Sequence, residues 1–165
     1  MSNSSSNEIK VAVGAFIAND KGQVLLGLRK NVAGAGEWQV PGGHLEYGET
    51  LIDGARREVK EETGLTVGEM RLVSVIDESP EVMGRTTHYV TVDFSAHYLG
   101  GTPVVMEPHK CGGWQWFSLD ALPEKLSQGM RMAVENYKNK TVYKARDFTI
   151  KTKHHVTKHD YAQSI

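Results

Sequence analysis

An α/β domain built on a mixed β-sheet is the fold class this sequence predicts, and three observations predict it. Apolar, β-branched runs lie on both sides of a helical stretch, a second helical stretch follows them, and glycine or proline punctuates the joins. The order is strands, helix, strands, helix. A chain of 165 residues has room for one such domain, expected over 8–138, and a tail.

Residues 1–7 are rich in Ser and Asn and are expected to be disordered. IKVAVGAFIAND and QVLLGLRK meet at Asp20, Lys21 and Gly22, the pattern of two strands joined by a hairpin turn. NVAGAGEWQVPGG reads as a loop broken by a short strand around 38–40, with Pro41 excluding helix. Thr50, with Asp53 three residues on, resembles a helix start and Gly64 a helix stop, so the spacing predicts a helix over 50–63. LTVGEMRLVSVIDES, THYVTVDFSAHYL and GGWQWFSL carry the alternation and β-branched content of strands. In LPEKLSQGMRMAVENYK, Leu126, Met130, Val134 and Tyr137 form one helical stripe, suited to packing on a sheet.

The tail over 139–165 sets Lys140, Lys144, Arg146, Lys151, Lys153 and Lys158 against Asp147 and Asp160. A solvated or dimer-contacting extension outweighs a polyanion site, and His154, His155 and His159, without cysteines, read as surface residues before metal ligands. The whole chain balances 19 basic against 20 acidic residues, net −1, so no global field grips nucleic acid or an anionic bilayer. No stable nucleic-acid or membrane binding is expected. Cys111 is the sole cysteine, which excludes an internal disulfide, and the start MSNSSSNEIK lacks the features of a signal peptide. A cytoplasmic protein is expected.

The helix over 50–63 poses a problem of charge. Leu51, Ile52, Ala55 and Val59 make its apolar stripe, Asp53, Arg56, Arg57 and Lys60 lie broadly opposite, and Glu58, Glu61 and Glu62 form a third strip between them. Each like-charge pair at this spacing costs about 0.2–0.5 kcal/mol, and each anion near the negative helix C-terminus about 0.3–1 kcal/mol. Three glutamates alone are most often a solvated face. Here the strip borders the buried stripe, where water screens less, and Gly54 removes bulk one turn earlier. A hard divalent cation with oxygen ligands converts that repulsion into coordination; Mg²⁺ in particular binds through a few carboxylates, waters and substrate phosphates.

Gly43, then Glu49 after five residues, then Arg57-Glu58-Val59-Lys60-Glu61-Glu62-Thr63-Gly64-Leu65 after seven, resembles the Nudix box of the Nudix hydrolases at every defining position. LLGLRK, GAGEWQVPGGHLEYGE, HYVTV and MEPHKCGGWQWF extend the likeness to the small, cytosolic, MutT-like nucleoside triphosphate diphosphatases, from about Val11 to Tyr137. The resemblance implies an α/β/α sandwich, a homodimer, and Mg²⁺-dependent hydrolysis, with Mn²⁺ a substitute, of nucleoside triphosphates such as 8-oxo-dGTP to the monophosphate and pyrophosphate. Dihydroneopterin triphosphate, nucleoside diphosphates and ADP-ribose are alternative substrates, and a non-catalytic nucleotide sensor is an alternative role. Carried over by position, Glu58 and Glu62 are implied metal ligands, Glu61 assists or orients water, and the Gly43 carbonyl completes the shell. Glu49 and Arg57 are the implied brace between loop and helix.

Other site candidates are weaker. Arg29 is a candidate phosphate contact, a surface salt bridge being equally weighted; Gln39 and His44 flank the PGG turn and border the cleft. Thr91, Gly129 and Met130 are candidate base-pocket residues, with core packing as the alternative for Thr91 and Met130. The chain departs from its apparent relatives at Gly112, where a glutamate is common, leaving Glu107 as the nearby acid for an extra metal or base role. Gln128 stands where an aromatic stacks on the purine in similar enzymes. Trp114 and Trp116, two apart in a strand, point to one face, which favours core or dimer packing over base stacking.

Overall fold

The computed structural model describes residues 8–80, 87–144 and 149–151. The expectations for residues 1–7 and for His154, His155 and His159 fall outside them. The described strands are β1 (Ile9–Ala18), β2 (Gln23–Arg29), β3 (Trp38–Gln39), β4 (Gly42–His44), β5 (Val67–Glu78), β6 (His88–Tyr98), β7 (Cys111–Ser118), β8 (Thr141–Lys144) and β9 (Thr149–Lys151); the main helices are α1 (Leu51–Thr63) and α2 (Gln128–Asn139). Among the described residues no helix is long and apolar enough to cross a membrane.

The first hairpin forms because its turn satisfies itself. Asn19 Oδ1 accepts the N–H groups of Lys21 and Gln23, each at 3.0 Å, and Gly22 takes φ 71°, a left-handed conformation that glycine adopts without strain. β1 then runs parallel to β6 along its whole length, from Ile9 opposite His88 to Ala18 opposite His97. β5 joins β6 antiparallel, and β2 pairs antiparallel with β3 and β7, giving a mixed sheet in the order β3-β2-β1-β6-β5. Residues 42–44, read from sequence as part of a loop, instead make the strand β4 on β1, with Val13 opposite Gly43 and Gly14 opposite Gly42.

Because strand side chains alternate, β1 feeds two cores at once. Val13, Ala15 and Ile17 join Leu25, Ala55, Val59, Val92 and Phe94 on the α1 face; Phe16 joins Val24, Leu26, Ile76, Met130 and Val134 on the α2 face. The architecture is helix, mixed sheet, helix. α1 begins at Thr50, whose side chain accepts the Asp53 N–H at 3.2 Å, and ends at Gly64 with φ 72°. α2 is capped by Ser127, whose hydroxyl accepts the Met130 N–H at 3.1 Å. Helical periodicity overstates the buried face of α1: Gly54, Ala55, Val59 and Thr63 are buried, but Leu51 and Ile52 are 38% and 39% exposed, since the period names a face and not how far the sheet covers it.

Trp114 lies across Gly27, where an added Cβ would sit 2.6 Å from the ring, and donates its indole N–H to Glu62 O at 3.2 Å. Trp116 meets Tyr98 edge-on at 5.1 Å. Both indoles therefore pack on the α1-side core. Part of the basic tail is folded: β8 lies against α2 and β5, Thr141 is buried, and Lys144 pairs with Glu135 at 3.1 Å.

Asp93 is an exception to this interior chemistry. It is 2% exposed, receives a hydrogen bond from Ser74, and its Oδ2 has no protein partner. Burial first, and Glu78 second, push its carboxyl from 3.8 to about 7. Between those values the folded chain keeps a proton that the unfolded chain has lost, so this group's contribution to stability falls as pH rises through that window, by at most about 1.4 kcal/mol per pH unit. In Asp93→Asn that slope disappears. Denaturant midpoints measured across the window should therefore show the variant gaining on the wild type as pH increases.

Candidate active site

The negative end of α1 tolerates anions because donors arrive there from elsewhere in the chain. The Val104 N–H reaches Thr63 O at 2.8 Å, the Met106 N–H reaches Glu62 O at 3.2 Å beside the Trp114 indole, and Lys60 Nζ binds Gly64 O at 2.8 Å. These contacts satisfy carbonyls that an isolated helix leaves open. They also tie the segment leading to Glu107 onto the end of the acidic strip.

Arg57 organises that strip. Its Nε and Nη2 grip both oxygens of Glu49 at 2.7 and 3.0 Å, Nη1 reaches Glu58 at 2.8 Å and Glu61 at 3.0 Å, and Nη2 also donates to His44 O at 3.1 Å. Arg57 thus does not face open water across from the acids; it turns among them. Its guanidinium is held charged chiefly by Glu49, and in return Arg57, followed by the Glu46 N–H, lowers the Glu49 carboxyl below its usual range. Glu49 also accepts that Glu46 N–H at 3.0 Å, closing the loop before α1.

Glu62 sits differently. Its Oε2 accepts the Gly42 N–H at 3.0 Å, and its carboxyl is pushed up to about 7 by burial, with smaller upward contributions from Glu58 and Glu107 and downward ones from Gly42 and Lys110. Glu107 is half-buried and pairs with Lys110 at 2.7 Å. Lys110 in turn is held charged first by Glu107 and further by Glu62 and Glu58, so loop 107–110 and the helix edge share one electrostatic site. Gly43 backs Glu58 directly: a Cβ there would stand 2.5–2.7 Å from its carboxyl atoms.

The remaining candidates fall into separate groups. Arg29 Nη1 donates to Gln39 Oε1 and its Nε to Ala33 O at 2.6 Å; opposite Cys111 in the β2–β7 register, Arg29 lies at the strand end beside loop 107–110. Lys30 N–H to Lys110 O at 2.7 Å fastens the same junction. On the other side of the sheet, His44 contacts Tyr89 at 3.1 Å, Thr91 donates to Glu78 at 2.7 Å, and Gly129 leaves room for the Glu78 carboxyl, which an added Cβ would meet at 2.8 Å. Met130 is 7% exposed within the α2-side core, and Gln128 is exposed. Sequence reasoning missed Gly42, Lys110 and the Trp114 tether. The doubled glycine was visible, but its N–H contact to a residue twenty positions away was not.

The donor set suits a hard divalent cation: carboxylate oxygens, a nearby backbone carbonyl, and a glycine cradle that a side chain would fill. Among the described residues no group of three or more His, Cys, Asp or Glu side chains is already gathered as an ion requires. Glu58 and Glu61 are instead bridged by Arg57, and Glu107 is paired with Lys110.

The NUDIX domain model matches residues 8–137. The chain belongs to this family. It is 42% identical over 105 residues to the oxidized purine nucleoside triphosphate hydrolase of Mus musculus, covering 61% of this chain and 62% of that one. It is 34% identical over 111 residues to an RNA pyrophosphohydrolase of Caulobacter vibrioides, covering 64% and 54%. The matched region thus spans less than two thirds of these relatives' lengths. Among solved structures, the MutT NUDIX hydrolase from Burkholderia pseudomallei superposes with a TM-score of 0.71 at 35% identity, over 78% of this chain and 98% of that one. In this NUDIX chain the family pattern accounts for the spacing of the acids, and the geometry shows what holds them.

Arg57→Lys keeps the charge but loses the fork that serves Glu49, Glu58 and Glu61 together. The variant should fold, by circular dichroism, and bind Mn²⁺ roughly 10- to 100-fold more weakly in calorimetric titration. Unchanged affinity would remove Arg57 from the site.

Proposed function

We propose that this NUDIX chain is an Mg²⁺-dependent pyrophosphohydrolase of nucleoside triphosphates, oxidised purine triphosphates among them, releasing nucleoside monophosphate and pyrophosphate. The observation that carries this reading is the single acidic edge formed by Glu58, Glu61 and Glu62 against Gly42 and Gly43, with Lys110 and Glu107 beside it. The names of the Mus musculus relative and of one from Danio rerio, both oxidized purine nucleoside triphosphate hydrolases, support the substrate class.

Glu58 and Glu62, with the Gly43 carbonyl, would hold the cation, and Glu61 and Glu107 stand within the same field. The bound ion supplies neutralisation of phosphate oxygens and acidification of a water. The chain's own residues do the positioning. Arg57 fixes the carboxylate of Glu58, the Gly42 N–H fixes that of Glu62, and Lys110 and Arg29 bring positive charge toward the phosphates. Glu61, 56% exposed, would orient water from the solvent side.

A second reading has an observation of its own. Glu58, Glu61 and Glu107 are already paired with Arg57 or Lys110, an arrangement also suited to a module that binds a nucleotide without cleaving it. A nucleotide panel with Mg²⁺, followed by pyrophosphate and phosphate release, separates the two. Turnover should require metal, vanish with chelator, and fall about a hundredfold or more in Glu62→Gln, several kcal/mol of lost charge stabilisation. Equal turnover in that variant would overturn the role of Glu62; no turnover of any nucleotide would favour the binding module.

A further inference from the structure

We propose that Lys110 is an exchangeable cation of the acidic site: its ammonium leaves Glu107 for the phosphates of the incoming ligand when Glu58 and Glu62 hold a divalent ion, so that ion and phosphates bind cooperatively. The inference rests on the acidic edge holding a cation, and not on which nucleotide follows or on its hydrolysis.

Two cationic side chains pair with acids of this edge, and they are held very differently. Arg57 is locked: its side chain is 21% exposed and its guanidinium is divided among Glu49, Glu58, Glu61 and the His44 carbonyl. Lys110 is 48% exposed, and among the described residues its Nζ has one hydrogen-bond partner, Glu107 Oε1 at 2.7 Å. An exposed pair of this kind contributes little to stability, so little is lost when it opens. A lysine ammonium also moves readily on its four-carbon stem, whereas a planar fork with several partners does not.

The backbone beneath Lys110, by contrast, is fixed on both sides. The Lys110 and Cys111 N–H groups both donate to Glu107 O at 2.9 Å, and Lys110 O accepts the Lys30 N–H at 2.7 Å. Just upstream, the Met106 N–H binds Glu62 O at 3.2 Å, at the end of the acidic strip. The ammonium can therefore change partner by side-chain rotation alone. It stays tethered to the same site in either arrangement.

Charge gives the exchange its direction. Lys110 is held charged first by Glu107 and further by Glu62 and Glu58. A divalent ion gathered by Glu58 and Glu62 cancels the attraction of those two carboxylates and competes with the ammonium for Glu107. Phosphates that arrive on the ion bring new negative charge, and the released ammonium is a donor beside them. The ion alone must displace a cation; the phosphates then give that cation a partner again. The two affinities are thereby linked, each ligand strengthening the other by the same factor.

The test is calorimetric titration of the full chain and of Lys110→Gln, first with Mn²⁺ alone and then, in excess Mn²⁺, with methylenediphosphonate, a diphosphate analogue that resists hydrolysis. Lys110→Gln should bind Mn²⁺ alone about fivefold or more tightly than wild type, and methylenediphosphonate about fivefold or more weakly. The opposite signs carry the proposal. A structural role for Lys110 would weaken both affinities. A lysine that only contacts phosphate would leave Mn²⁺ binding unchanged, and one that only repels the ion would leave diphosphonate binding unchanged. Any pattern other than opposite shifts overturns the exchange. Wild type that binds no Mn²⁺ would overturn both this proposal and the metal-dependent hydrolytic reading. Opposite shifts together with no turnover of any nucleotide would overturn the hydrolytic reading alone.

Discussion

One guanidinium holds the acidic site together. Arg57 meets Glu49, Glu58, Glu61 and the His44 carbonyl with three nitrogens, and its side chain is only 21% exposed. Without it, the carboxylates along α1 would repel each other where water screens poorly, and the glycine-containing loop before the helix would lose its anchor. Lysine carries the same charge but presents it as a point, so it cannot span four partners. The arginine sits one residue before Glu58 and four before Glu61, and the helix itself brings it into reach of both.

The second constraint is the two-sided use of β1. Val13 faces α1 and pairs with Gly43, fixing the loop that backs Glu58; its neighbour Gly14 faces α2 and lies under Asp93. A one-residue slip of β1 would exchange these faces and break both arrangements together. The parallel β1–β6 ladder, continuous over the length of β1, makes such a slip expensive. The acids along α1 and the buried Asp93 are thus held in fixed relation by one pleat.

Much of this was legible in the sequence. The hairpin turn at 19–22 and the helix between Thr50 and Gly64 carry local signals, because their hydrogen bonds close within a few residues. Candidates at Glu58, Glu61 and Glu62 followed from helical spacing, and the family pattern from the same positions. What stayed hidden was non-local. Nothing in PGGH announces pairing with β1, and nothing in MEPHKC announces that Met106 and Trp114 would hold this loop against Glu62. Asp93 was hidden for another reason. In a sheet covered on one face, a polar residue in an alternating strand points to water; in a sheet covered on both, alternation cannot tell which polar residue is buried.

Glu62 and Asp93 share a predicament on opposite faces of that sheet. Each is raised to about 7, first by burial and then by nearby acid, Glu58 and Glu107 for Glu62 and Glu78 for Asp93. Each is also partly relieved by one donor, the Gly42 N–H for Glu62 and the Ser74 hydroxyl for Asp93. A carboxyl in that state contributes less to folding at neutral pH than an apolar residue of similar size would, so its presence is not explained by stability. The two differ in what can relieve them. Glu62 lies among further acids, Glu58 and Glu107, with Lys110 close by. Asp93 lies among small residues, with the Ser74 hydroxyl as its donor and the Asn136 amide behind that hydroxyl.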